Sequence, residues 1–250
     1  MKRFILLIIV FWLGAQVSDA QLWKMKRWEA ELAAGPSFSF PDVGGFSRSK
    51  NWLGLRDLSY RQTMFNVNGN LRYRFSRTFN ARISLTYGML HSNDVRGSNE
   101  GRKFEATTTI FEPALIGEYY FIKNRYESSY LFLKGKGFWT LLKSLDFYAL
   151  AGVGGVNYNV KGNDALLEIG LERGLETKGF SPVFPVGFGA TLIYNPNINL
   201  GIELAGRYAL TDYLDGYTSQ YSSANDVYYF LNFTFTYKLK SGPKGLPSFR

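Results

Sequence analysis

Eight stretches of the chain alternate apolar and polar residues with period two, and each is bounded by turn-forming residues. They cover about 28–40, 63–75, 79–91, 106–122, 145–159, 182–194, 198–211 and 226–239. In residues 63–75, TMFNVNGNLRYRF, Phe65, Val67, Leu71, Tyr73 and Phe75 share one side with Gly69, while Asn66, Asn68, Asn70, Arg72 and Arg74 share the other. Several stretches exceed the roughly 5–6 residues of an ordinary soluble strand and reach the roughly 9–11 that a tilted strand needs to cross a bilayer. No stretch after residue 20 offers the roughly 18 consecutive apolar residues of a membrane-spanning helix.

The chemistry of the polar side decides which face meets oil. A soluble barrel would turn that side to bulk water and load it with Lys and Glu. Here it carries Asn, Ser, Thr and Gly with a few Arg and Glu, and most Lys residues fall between the stretches. Short or bidentate groups suit a crowded interior, so the polar face is expected inside and the aromatic and branched face against lipid. An aromatic share of 17% suits rings placed in girdles at the two membrane interfaces. The expected fold is an all-β, eight-stranded antiparallel transmembrane β-barrel occupying residues 21–239. A soluble barrel or sandwich is the alternative. Closure removes the sheet edges that hydrocarbon would penalise.

The start of the chain reads as an export signal over residues 1–20: Lys2 and Arg3, then FILLIIVFWLGA, then a small residue, Ala20, at the cleavage point. No Cys occurs in the chain, which excludes lipoprotein anchoring and disulfide staples. Losing two cations and one anion with the signal takes the formal charge from +9 to +8. The basic residues are scattered, so anionic lipid headgroups or acidic proteins are the expected counterparts, not nucleic acid. The expected location is the outer membrane of a Gram-negative bacterium.

Eight strands enclose just enough room for side chains. Arg72, Arg74, Arg82, Glu112, Glu118, Glu203 and Arg207 fall on inward positions and are expected to form a polar network that plugs the lumen. Short connections, 76–78 and 195–197, mark the periplasmic end, because barrels of this kind carry short turns there and long loops outside. The outer loops are then about 41–62, 92–105, 160–181 and 212–225, with 240–250 a periplasmic tail. Residues 123–144 lie on the periplasmic side yet are long. They are open to three readings: extended ends of the flanking strands, a docking hairpin turned at Gly135–Gly137, or two further strands. As a docking element the segment would offer Lys134, Lys136, Phe138 and Trp139, joined by Lys240 and Lys244 of the tail.

Chemistry-bearing motifs are sparse. The single His, His91, has Ser92 and Asp94 nearby, but adjacent strand residues point to opposite faces, which disfavours a catalytic pair. Asp212, Asp215 and Asp226 match no calcium-loop spacing, so no metal site and no cofactor is expected. Gly152–Gly155, GVGG, lacks the helix and Lys of a phosphate cradle and suits close strand contact.

Residues 182–239 carry Pro182, Pro185 and Gly187, then NLGIE with Arg207 following, then Thr211-Asp212-Tyr213-Leu214-Asp215, then Asn225-Asp226 ahead of an aromatic last strand. This part of the chain resembles the PorG-like outer-membrane barrels of Bacteroidetes. RISLTYGML with SNDVR, and FEPALIGEYYF at 111–121, resemble the family's third and fourth strands, so that the likeness covers about half of the mature chain. The resemblance implies a non-enzymatic outer-membrane accessory of the type IX secretion or gliding machinery, in contact with periplasmic ring components. The long 123–144 connection and the tail after the last strand depart from that pattern. A surface-binding or adhesion barrel using the outer loops is the second expectation, and a lipid-modifying enzyme a third.

Overall fold

The structure is a computed structural model that describes residues 26–40, 43, 60–94, 101, 103–124, 129–132, 137–172, 177–218, 225–241 and 247–248. The export signal, Lys134, Lys136 and Lys244 lie outside these residues.

Eight long strands run in chain order: β1 (Trp28–Phe40), β2 (Met64–Arg74), β3 (Phe79–Asn93), β4 (Glu105–Ile122), β5 (Leu145–Gly162), β6 (Lys178–Ile193), β7 (Ile198–Ala209) and β8 (Val227–Ser241). Each pairs antiparallel with the next, and β1 pairs with β8 to close the barrel. A two-residue ninth strand, Pro247–Ser248, pairs with Lys240 and Ser241 at the end of β8. Closure matters because hydrocarbon offers the backbone no alternative partner. At the seam Gly35 lets the chains meet: a Cβ there would sit 1.9 Å from the Leu231 carbonyl oxygen. Gly152 and Gly155 do the same service in β5, against the Leu115 carbonyl oxygen and the Phe180 ring.

Period two converts directly into sidedness. Along β2, Phe65, Val67 and Leu71 are exposed while Asn66, Asn68, Asn70, Arg72 and Arg74 are buried. The same alternation exposes Ile83, Leu85 and Tyr87 on β3, Phe111, Leu115, Tyr119 and Phe121 on β4, Leu200 to Tyr208 on β7, and Phe233 to Tyr237 on β8. On β4 the outward apolar positions run from Phe111 to Phe121, a belt roughly 25 Å tall once strand tilt is allowed for. Aromatic rings edge the belt at both ends. Trp28, Tyr73 and Phe75 stack edge-on at centroid distances of 4.9 Å at one rim, and Phe40 meets Tyr229 at 5.5 Å at the other. This is the construction of an outer-membrane barrel, and its place is the outer membrane of a Gram-negative cell.

The short turns follow from their side chains. Ser76 Oγ accepts the Phe79 N–H at 2.9 Å, and Asn195 Oδ1 accepts those of Asn197 and Ile198 at 2.9 and 2.7 Å. Among the described residues two α-helices interrupt the sheet pattern: α1 (Phe138–Ser144) and α2 (Asp164–Glu172). The 123–144 connection therefore adds no strand among its described residues and does not prolong β4 and β5. It carries a 3-10 turn at 130–132 and then α1, and the hairpin turn expected at Gly135–Gly137 lies outside the described residues except for Gly137, the residue that caps α1. α2 turns the third outer loop into an ordered element. Asn163 Oδ1 accepts the Leu166 N–H at 3.2 Å as its cap, and Asp164 supplies first-turn acid.

A branched residue at position 35 should block the seam. Gly35→Val is expected to leave less than half the chain in the folded form whose electrophoretic mobility shifts on heating; wild-type recovery would show that the seam tolerates the displacement.

Candidate functional site: the sealed lumen and its two rims

The barrel interior has two storeys. The lower storey, at the end of the short turns expected to face the periplasm, is ionic. Register places Arg72 directly opposite Arg82 on β3 and opposite Glu29 on β1. Two facing guanidiniums repel unless carboxylates separate them. Four carboxylates do so. Arg72 donates to Glu118 Oε1 at 3.0 Å, to Glu29 Oε2 at 3.2 Å and to Glu31 Oε2 at 2.8 Å. Arg82 donates to Glu31 Oε1 at 3.3 Å and to Glu203 Oε1 at 2.7 Å, and its Nη1 lies 3.1 Å from Glu118. Arg74 approaches Glu29 at 3.8 Å, and Lys238 stands opposite Glu29 across the β1–β8 seam. Glu29, Glu31, Glu118 and Glu203 thus meet Arg72, Arg74, Arg82 and Lys238, and the formal charges cancel. Neutral donors finish the coordination: Tyr148 to Glu203 at 2.8 Å, Thr236 to Glu31 at 2.7 Å and Asn70 to Glu31 at 2.9 Å. Every strand except β6 contributes a side chain, so the layer ties the wall across its diameter.

Higher up, Arg207 and Glu112 pair separately. The Arg207 Nε donates to Glu112 Oε1 at 3.4 Å, its Nη1 to the Ala205 carbonyl at 2.8 Å, and its plane lies 4.2 Å from the Phe230 centroid. Tyr228 donates to the other Glu112 oxygen at 2.7 Å. The seven sequence-selected residues are therefore all buried, but they form one five-residue group and one isolated pair.

The upper storey departs from a polar interior. Leu90, Ile110, Val156, Tyr158, Val183, Tyr228 and Phe230 point inward and pack with Val43, Phe104, Leu166, Leu214 and Tyr217 from the outer loops. This apolar stopper is fastened by backbone groups. Asp215 accepts the N–H of Val43 at 2.8 Å and of Tyr217 at 2.9 Å, and Asp226 accepts that of Leu214 at 2.8 Å. Those carboxylates are loop fasteners, and Asp212 accepts the Thr218 hydroxyl at 2.6 Å. At the periplasmic mouth, a recess between Glu29, Arg74, Asn80, Tyr120 and Lys123 leaves only about 10 Å³, the room of a single water.

Sequence reasoning passed over Glu29, Glu31, Tyr148 and Tyr228, and left Lys238 out of the network although it falls on the polar face of the last strand. The two glutamates carried a readable signal, since WEAEL at 28–32 alternates as cleanly as β2. The tyrosines carried none, because an inward phenol is told from a girdle phenol only by register. His91 lies on the outer face. Its Nδ1 meets the Thr107 hydroxyl at 3.0 Å and its Nε2 meets the Asn93 amide at 3.3 Å, so Ser92 and Asp94, on the inner side, are not its partners.

At the periplasmic rim, Phe138, Trp139 and Leu142 share one face of α1 and are exposed, Phe138 by 68% and Trp139 by 74%. The connection leading to them is held against the next turn: Ser129 donates to the Tyr194 carbonyl at 2.8 Å and Leu131 N–H to the same oxygen at 3.3 Å. Lys240 is exposed at the end of β8, where it pairs with Ser248.

No protein-family model and no curated protein matches the chain. Among solved structures it is similar to neisserial surface protein A, with 12% identity over 84% of this chain and 96% of that one and a TM-score of 0.46. It is similar to a major outer membrane protein of Thermus thermophilus, with 12% identity, 84% and 98% coverage and a TM-score of 0.42. It is also similar to Ail, the attachment invasion locus protein of Yersinia pestis, with 12% identity, 85% and 98% coverage and a TM-score of 0.39. At these values the fold rests on the chain's own closed hydrogen-bond circuit and apolar belt.

Breaking the ionic layer should cost more than a surface pair. Arg82→Ala leaves Glu203 and Glu31 short of a cation, and about 3–5 kcal/mol of unfolding free energy should be lost in a urea titration in lipid vesicles. A loss within about 1 kcal/mol, the size of an exposed ion pair, would mean that water reaches these groups. In planar bilayers the wild-type barrel should show no stable conductance steps, as a lumen sealed at both storeys requires.

Proposed function

We propose that the barrel is a non-enzymatic membrane anchor that docks a periplasmic protein through its 123–144 connection. The observation that carries this reading is the exposed Phe138–Trp139–Leu142 face, set on the one long connection at an end of the barrel otherwise closed by tight turns. Aromatic anchors of this kind supply most of the energy of a docking surface, and cations around them orient the partner. Lys134, Lys136, Lys240 and Lys244 are the cations proposed for that role, with Lys134 and Lys136 in the same connection and Lys240 and Lys244 in the tail. The sealed lumen argues against transport. The resemblance to PorG-like barrels names the kind of partner: ring components of the type IX secretion or gliding machinery.

A second reading assigns binding to the outer loops, as a surface or adhesion barrel. The ordered cap around Phe104, Leu214 and Tyr217 favours it, because a loop surface fixed from beneath loses little entropy on binding.

Replacing residues 130–142 by a Gly-Asn turn is expected to leave membrane insertion intact and to abolish co-purification of periplasmic proteins after mild crosslinking. Trp139→Ser with Phe138→Ser should reduce it at least about tenfold, as loss of two aromatic anchors would. Unchanged co-purification would end the periplasmic reading; capture of a surface ligand by the outer loops alone would favour the second.

A further inference from the structure

Above the outer girdle, β4, β5 and β6 continue beyond the belt, and their outward residues change character abruptly. Register aligns them in rows. The last row that carries rings reads Tyr87, Phe111, Asn157, Phe180 across β3 to β6. The next reads Met89, Thr109, Asn159, Lys178, and the one above it reads His91, Thr107, Lys161. Lys178 thus stands one outward position past Phe180, and Lys161 one past Asn159. Diagonal neighbours on adjacent strands lie roughly 7 Å apart, so two flexible ammonium groups can converge on one anion.

Both lysines are exposed, and among the described residues neither has an ion-pair or hydrogen-bond partner. The nearest carboxylate by register, Glu105, lies one outward row above Thr107 and faces His91 Nε2 at 3.9 Å. Phe180 below is 63% exposed, so the cations sit where acyl chains give way to headgroups. A cation here can swing toward bulk water or toward a lipid phosphate. Hydroxyls of Thr107 and Thr109 and the amides of Asn157 and Asn159 share the patch and can bond sugar or phosphate oxygens.

We propose that this outer rim of β5 and β6 binds a phosphate of an outer-leaflet glycolipid, with Lys161 and Lys178 as its cations. The site is separate from the periplasmic docking surface and is independent of that reading. It fixes the barrel's depth and rotational setting against one leaflet, with the rings below in the acyl chains and the cations at the phosphate level.

Native mass spectrometry of the full-length barrel in detergent tests this, with bisphosphorylated lipid A, dephosphorylated lipid A and inorganic phosphate as probes. Wild type should retain the phosphorylated lipid about thirtyfold more than the dephosphorylated one, the size expected of two cations each contributing about 1 kcal/mol near a charged surface. Lys161→Gln with Lys178→Gln should erase that preference while keeping the heat-dependent mobility shift of a folded barrel, and Lys161→Arg with Lys178→Arg should keep it. Lys26→Gln, at the opposite rim, should leave it unchanged. A preference that survives the double Gln variant, or is absent in wild type, overturns the proposal. Displacement of the lipid by millimolar inorganic phosphate does so too, by assigning the rim to free anions.

Discussion

Hydrocarbon offers no hydrogen bonds, and that one constraint organises this molecule. Every backbone N–H and C=O in the belt must find a partner within the chain, so the sheet has to close, and β1 has to meet β8. Closure at eight strands then sets the radius, and the radius sets what can live inside. Gly35 and the Gly152–Gly155 run mark where walls approach too closely for a side chain. The outer face needs only bulk and oiliness, and Leu, Ile, Phe and Tyr all serve along it. The inner face must be filled with matched groups.

That filling follows two different solutions at the two ends. Near the periplasm, four carboxylates and four cations cancel, with hydroxyl and amide donors occupying remaining lone pairs. Burying one of these groups alone would cost several kcal/mol; buried as a set they hold seven strands in one register. Toward the outside the lumen turns apolar and is stoppered by loop side chains, so the loops are part of the core and not appendages to it. A barrel filled in this way is a rigid post. What distinguishes it from other posts lies at its rims: an exposed aromatic face below, lysines above.

The strands were legible because alternation is a direct image of a wall with oil on one side. β1 and β3 begin where the pattern begins, and β2 and β7 differ from it by a residue or two. β5 and β6 run further outward than their alternation, to Gly162 and from Lys178, since above the belt the outward positions turn polar and the contrast fades. The helices were harder. α2 announced itself by Asn163-Asp164 ahead of two leucines, a cap overlooked beside the stronger strand signal. α1 has a glycine cap and a β-flanked, ring-rich sequence, so local preference scarcely separates helix from hairpin. The inward charges on β2, β3 and β7 were readable one by one. Which of them meet was not, since Arg82 and Glu203 are 121 residues apart and only the closed ring brings them together.

The central claim is that adjacent residues of one strand live in two media, oil outside and a packed ionic core inside. The chain contains no Cys, so single cysteines can be placed along β7 from Leu200 to Tyr208 without a competing thiol. Each would be given a nitroxide and its collisions with oxygen and with a water-soluble nickel chelate measured in vesicles. The account predicts high oxygen and low nickel accessibility at 200, 202, 204 and 208, and low accessibility to both at 203, 205 and 207. Uniform accessibility to nickel along the strand, or the opposite phase, would contradict it.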